Sequence, residues 1–191
     1  MKSMKKTGTG LVASILLAGC GGGGVVVDIT DAPPDLATID HVYISLGSVD
    51  VHVVDKEEPD ERKDGDKEDE SKWQTVEPRA GRIDLMALQN DVRQTLGELD
   101  LPGGKITQIR LFIDEAGENK VIQKDGQSCE LDLSSVDKSG LKINHPFKAI
   151  DADERVRVVV DFDLKESIDQ DGDCSYALKP VIKLKTSELA D

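Results

Sequence analysis

Carboxylates dominate the side chains with chemical potential in this chain. Asp169-Gln170-Asp171-Gly172-Asp173 places three acids at alternate positions, and Asp161 and Asp163 stand just upstream on one face of a strand pattern. Hard cations take clustered carboxylate oxygens, so Asp161, Asp163, Asp169, Asp171 and Asp173 form the candidate calcium set if the chain folds back on itself. The spacing is not that of an EF-hand loop. Counting from Asp169, Cys174 stands where such a loop needs Gly and Pro180 where it needs Glu. The plainer reading is an acidic β-connection whose Asp and Gly residues supply turn geometry, so the first expectation is no cofactor, with calcium the alternative. His41, His52 and His145 are isolated, which gives zinc no ligand pair. Asp31 ends a strand where the backbone must turn, and an Asp there more often caps the turn through its own side chain than performs chemistry.

Two catalytic spacings dissolve on inspection. Ser135-Val136-Asp137-Lys138 has the Ser-x-x-Lys spacing of penicillin-recognising enzymes, yet it lies in a turn-rich segment and no Ser-Asp-Asn partner exists. Glycoside hydrolysis needs two carboxyl groups at a set separation across a cleft. With 38 acids in 191 residues, chance alone supplies such pairs. The expectation is a non-enzymatic module.

The cysteines say more. Lys2, Lys5 and Lys6 precede an uncharged stretch from Thr7 to Gly19 that holds Leu11, Val12, Ile15, Leu16 and Leu17. That is the layout of a secretory signal, and it is too short for a transmembrane helix of roughly 20 apolar residues. The stretch ends in Leu17-Ala18-Gly19-Cys20, which resembles the lipobox of bacterial lipoproteins at all four positions. The resemblance implies cleavage before Cys20, acylation of Cys20 by palmitate-like chains, and attachment to a membrane through that lipid; several acyl chains anchor stably where one is marginal. Residues 1–19 are then the signal peptide, and residues 20–24 an acylated Cys with a flexible Gly tether. Gly21, in place of Asp, implies by the same resemblance the outer membrane of a diderm cell. Cys129 and Cys174 remain, an even pair in an oxidising compartment, and a disulfide is expected. It would close a loop of about 45 residues, worth up to ~4 kcal/mol on the chain-entropy model. Two buried free thiols are the alternative.

Composition narrows the partners. The 172 residues from Cys20 onward suffice for one domain with a real core. They carry 21 basic and 38 acidic residues, a net −17. No basic face is available to displace counterions from a phosphate backbone, so nucleic acid is excluded as a partner. A single Trp argues against a broad sugar-stacking platform.

Stepping along the chain, the body from 25 to 187 reads as strands with almost no helical period. Val25, Val27 and Ile29 alternate with Val26, Asp28 and Thr30; Ile109, Leu111 and Ile113 with Gln108, Arg110 and Phe112; and Val156, Val158, Val160 and Phe162 with Arg155, Arg157, Val159 and Asp161. Tyr176, Leu178, Ile182 and Leu184 form a further set against Lys179, Lys183 and Lys185. Each is expected to have one wet face. Val42, Ile44 and Leu46 hold even positions, whereas Val49, Val51 and Val53 hold odd ones. The phase flips at Gly47-Ser48, where a bulge or bend would keep both sets on the core side. Pro102-Gly103-Gly104 predicts a tight turn, and only 84–90 and 164–169 suit a short helical turn. Residues 55–72 hold ten acids, five bases and no large apolar residue, which predicts a disordered acidic loop.

These segments in this order resemble a family. Asp28-Ile29-Thr30-Asp31-Ala32-Pro33 resembles its opening signature, and Val42 to His52 its second strand. Ile83 to Leu88, Leu101 to Leu111, Gly140-Leu141-Lys142-Ile143, Asp161-Phe162-Asp163 and Lys179-Pro180-Val181-Ile182 follow in order. The chain is similar to the secreted lipoprotein family catalogued as domain of unknown function 4382. The resemblance implies an all-β fold, an antiparallel sandwich of prealbumin-like or carboxypeptidase-regulatory-like type, and no activity. The expected role is therefore a lipid-anchored, extracytoplasmic binding or structural module whose partner is an envelope protein or glycan. The rivals are a calcium-dependent adhesion or carbohydrate-binding module and a hydrolase with an unrecognised carboxylate site.

Overall fold

The computed structural model describes residues 23–31, 36–54, 73–76, 78–79, 81–144, 147 and 149–190. Cys20, His145 and the 55–72 insert lie outside them. In chain order the strands are β1 (Gly24–Thr30), β2 (Ile39–Val54), β3 (Trp73–Val76), β4 (Arg82–Asp84), β5 (Gln94–Asp100), β6 (Gly104–Ile113) and β7 (Lys120–Gln123). They continue as β8 (Ser128–Asp132), β9 (Leu141–Asn144), β10 (Ala149–Ile150), β11 (Arg155–Phe162), β12 (Ile168–Gln170), β13 (Ser175–Leu178) and β14 (Ile182–Leu189). A smaller sheet has the order β14-β11-β1-β5, and a larger one runs β10-β6-β2-β7-β8-β13-β12, with β3 and β4 on β2 and β9 on β6. Val25, Val27, Val158 and Phe162 of the first join Val42, Val51, Ile109 and Tyr176 of the second in one apolar cluster. The fold is all-β and sandwich-like, as its alternating apolar residues require.

Strand β2 shows how the sequence builds the larger sheet. Its first half pairs with β7 and β4, its second with β6 and β3. The ladder with β6 slips between Leu46 and Ser48, so Gly47 is left over as a bulge. Val42, Ile44 and Leu46 before it and Val49 and Val51 after it are all buried. One extra residue thus returns the second half to core phase.

Three expectations need correction. Most pairings are antiparallel, but β1 runs parallel to β11 and β13 parallel to β8, so the sheets are mixed. The N-terminal strand slots between β11 and β5 instead of pairing with a chain neighbour, and only a long crossover permits a parallel pair. Consequently β1 has no wet face: Val26, Asp28 and Thr30 are as buried as Val25, Val27 and Ile29, and Arg157 on the adjacent strand holds Asp28 in an ion pair at 2.5 Å. The stretch Tyr176 to Lys185 is two strands, not one. Tyr176 and Leu178 belong to the larger sheet, Ile182 and Leu184 to the smaller. Pro180, which offers no N–H, marks the crossing.

The two expected helical turns are present as a 3-10 turn at Leu85–Leu88 and α1 (Leu164–Ser167). Asp84 accepts a hydrogen bond from Met86 N and Asp163 from Glu166 N, so an Asp caps each. Gly23 and Gly24, assigned above to the tether, are part of the fold. Gly23 N donates to Ala152 O at 2.6 Å, and Leu101 N to Gly23 O at 2.9 Å. A Cβ on Gly23 would lie 2.5 Å from Asp151 O, so only Gly allows this approach.

The turn after Leu101 carries the chain from β5 in one sheet to β6 in the other. Gly104 there has φ +134°, and a Cβ would sit 2.8 Å from Val53 Cγ1 and 2.9 Å from Val54 O. Gly104→Ala should therefore destabilise the fold by about 1–3 kcal/mol, read as a lower urea midpoint with an unchanged slope. An unshifted midpoint would contradict this account of the corner.

Candidate functional site

Where β1 and β11 end side by side, the chain leaves a cavity of about 430 Å³ lined by Asp31, Asn90, Asp91, Asp161, Lys183, Leu184 and Lys185. Four separate segments meet there, each for a local reason. Thr30 closes β1 and its hydroxyl donates to Val92 O at 2.8 Å, which pins the loop after the 3-10 turn. Within that loop Asn90 and Asp91 have φ +59° and +62°. Asn and Asp are the non-glycine residues that best tolerate this left-handed region, and two in succession turn the loop towards β14. Asp161 faces Lys183 in the β11·β14 register. The ladder slips between Val159 and Val160, and Lys185 is left over opposite the slip.

Asp31 is 1% exposed. Its Oδ1 accepts from Leu164 N at 3.0 Å, 133 positions along the chain; the turn it was expected to cap, at 32–35, lies outside the described residues. Asp31 thereby fastens the start of α1 to the end of β1. Lys185 Nζ donates to Asp91 Oδ1 at 2.7 Å, and Lys183 Nζ to Asp163 Oδ2 at 3.2 Å. The hydrogen bond from Lys185, aided by its charge, holds the Asp91 carboxyl below the usual aspartate range. The cavity offers carboxylate acceptors framed by ammonium donors, the chemistry of ionic binding. Among the described residues that line it, none pairs a nucleophile with a base.

The calcium set is dispersed. Asp161 lines the cavity, Asp163 caps α1, and Asp169 pairs with Lys179. Asp171 and Asp173 are exposed in the β12–β13 turn, closed by Asp171 N to Ser175 O at 2.9 Å. Among the described residues no three His, Cys, Asp or Glu side chains gather to hold a metal.

Cys129 and Cys174 are bridged, joining β8 to the residue before β13 where those strands pair in parallel. His41 Nδ1 lies 2.7 Å from Asp84 Oδ2, and its ring stacks on Tyr43. His52 contacts Thr107 Oγ1 and leans on Trp73, over which Arg110 stands at 4.0 Å. Both histidines are thus held on the outer side of the larger sheet, each beside an aromatic ring. Ser135 and Lys138 are exposed, in turns. Asn90, Asp91, Lys183 and Lys185 were not singled out by their spacing. The Asn-Asp pair was the available signal, since both residues favour positive φ.

A two-sheet β-sandwich with a stapled edge and a charged cavity at one end defines the class. The family model described as "Domain of unknown function (DUF4382)" matches residues 22–180, and the chain belongs to that family. No curated protein and no solved structure matches it.

Because Asp91 is held ionised by Lys185, its folded-state pKa is depressed, so the stability it contributes is present above the unfolded value. It is lost as pH falls through the lower folded value. In an NMR titration the Asp91 carboxyl should have its midpoint below the ordinary aspartate value and move up in Lys185→Met. An unchanged midpoint in that variant would remove Lys185 as the cause.

Proposed function

We propose that the protein is a lipid-anchored, extracytoplasmic β-sandwich module with a non-enzymatic binding or structural role at the cell envelope. The observation that carries this reading is the Cys129–Cys174 bridge. It consumes both cysteines outside the Leu17-Ala18-Gly19-Cys20 motif, which leaves Cys20 as the one thiol assigned to lipid. A disulfide persists in oxidising compartments, and the motif supplies the route there. Acylation at Cys20 makes the membrane the first partner, the outer membrane in a diderm cell. An envelope protein or glycan is the second, and the Asp31–Asp161–Lys185 cavity supports a binding role. On this reading the sandwich groups with prealbumin-like and carboxypeptidase-regulatory-like modules.

Cys20→Ser should abolish incorporation of labelled palmitate and leave the precursor uncleaved, while the folded domain keeps its bridge. Label appearing in that variant would overturn the anchoring reading.

A further inference from the structure

The anchor point and the fold together fix which end of the molecule meets the lipid. Gly23 is tied on both sides, by its N–H to Ala152 O and by its carbonyl to Leu101 N. Only three residue steps separate it from Cys20, and a fully extended chain covers at most about 11 Å in that number. Around Gly23 one end of the sandwich is assembled from three places. Asp100 pairs in register with Gly24. Gly103 approaches Ile150 O and Ala152 N, and Lys105 lies opposite Val54 on β2. From Gly24 to Thr30, β1 then runs straight to the other end, six steps or about 20 Å away. There stand Asp31, Val92 and the cavity.

We propose that the lipid on Cys20 holds the Gly23 end of the sandwich against the bilayer headgroups, so that the cavity with Asp31, Asp91 and Asp161 faces away from the membrane. The proposal rests on acylation at Cys20 and adds the orientation that a short tether imposes. A long linker would let the domain tumble; this one is shorter than the sandwich itself. The membrane-facing end carries exposed Asp100, Asp151 and Asp153 and, among the described residues, a single large exposed apolar side chain, Leu189, opposite Val156 on β11. One leucine is too little apolar surface to hold a domain on a bilayer and the carboxylates repel anionic lipid, so proximity is set by the covalent tether. A ligand that enters the cavity comes from the aqueous side.

The test uses the full-length acylated protein in phosphatidylcholine vesicles with a nitroxide quencher on the headgroups. Fluorophores are attached through Asp153→Cys at the near end and Val92→Cys at the far end. Quenching at 153 should exceed that at 92 several-fold. A flexible Gly-Ser insert of about 20 residues between Gly22 and Gly23, with a root-mean-square reach of about 25 Å, should erase the difference. Equal quenching without the insert, or stronger quenching at 92, would overturn the orientation. Intact mass of the same samples separates the two failures: an unacylated Cys20 would overturn the anchoring reading, and the orientation with it.

Discussion

Strand β2 must keep its apolar side chains on one side while serving two different sets of neighbours. A straight strand of alternating residues cannot switch phase, because a one-residue slip moves every side chain to the opposite face. The bulge at Gly47 absorbs that slip. Everything in the larger sheet follows from it. β7 and β4 find Val42 and Ile44 facing inward, β6 and β3 find Val49 and Val51 facing inward, and the remaining strands extend outward from β6 and β7. Without the bulge, one half of β2 would bury polar residues such as Asp50 and expose its valines.

The smaller sheet depends on a different constraint, the insertion of the N-terminal strand between two strands remote in sequence. Because β1 is central, its polar residues must be satisfied inside the protein. Asp28 takes Arg157, Thr30 takes the Val92 carbonyl, and Asp31 takes the Leu164 amide. Those bonds draw the 89–93 loop and α1 to the end of β1, and the charged cavity is the open hollow left beside them. The residues that resemble the family's opening signature thus act as fasteners of that end. The same insertion takes Gly23 and Gly24 into the fold through backbone pairing.

Much of this was legible in the sequence, for physical reasons that also explain the misses. The reversal of alternation at Gly47-Ser48 is a local pattern, and so are Asp84 and Asp163 before short apolar runs; each announces its element. The two buried faces of β1 were not legible, because Val-Val-Val-Asp-Ile-Thr reads equally as a strand with one wet side. The break at Pro180 was visible as a residue that disrupts ladders, but the apolar alternation on either side stayed in phase and concealed the change of sheet. Of the acids in the alternative calcium set, Asp161 and Asp163 precede α1 and Asp169, Asp171 and Asp173 follow it, while Asp163 and Asp169 pair with Lys183 and Lys179. The cavity could not be read at all, since its walls come from positions 31, 90–91, 161 and 183–185. Only tertiary structure brings those together.

The staple between β8 and β13 sets a redox condition on the fold. A parallel pair of three residues, with a 42-residue excursion between its strands, gains from a covalent tie at its start. Such a tie forms only where thiols are oxidised. The most direct test is therefore the thiol state of the protein isolated from the cells that make it, blocked with an alkylating reagent under denaturing, non-reducing conditions and weighed intact. The account predicts no alkylation at Cys129 or Cys174 and a mass two hydrogens below the dithiol form. Alkylation of both cysteines would contradict it.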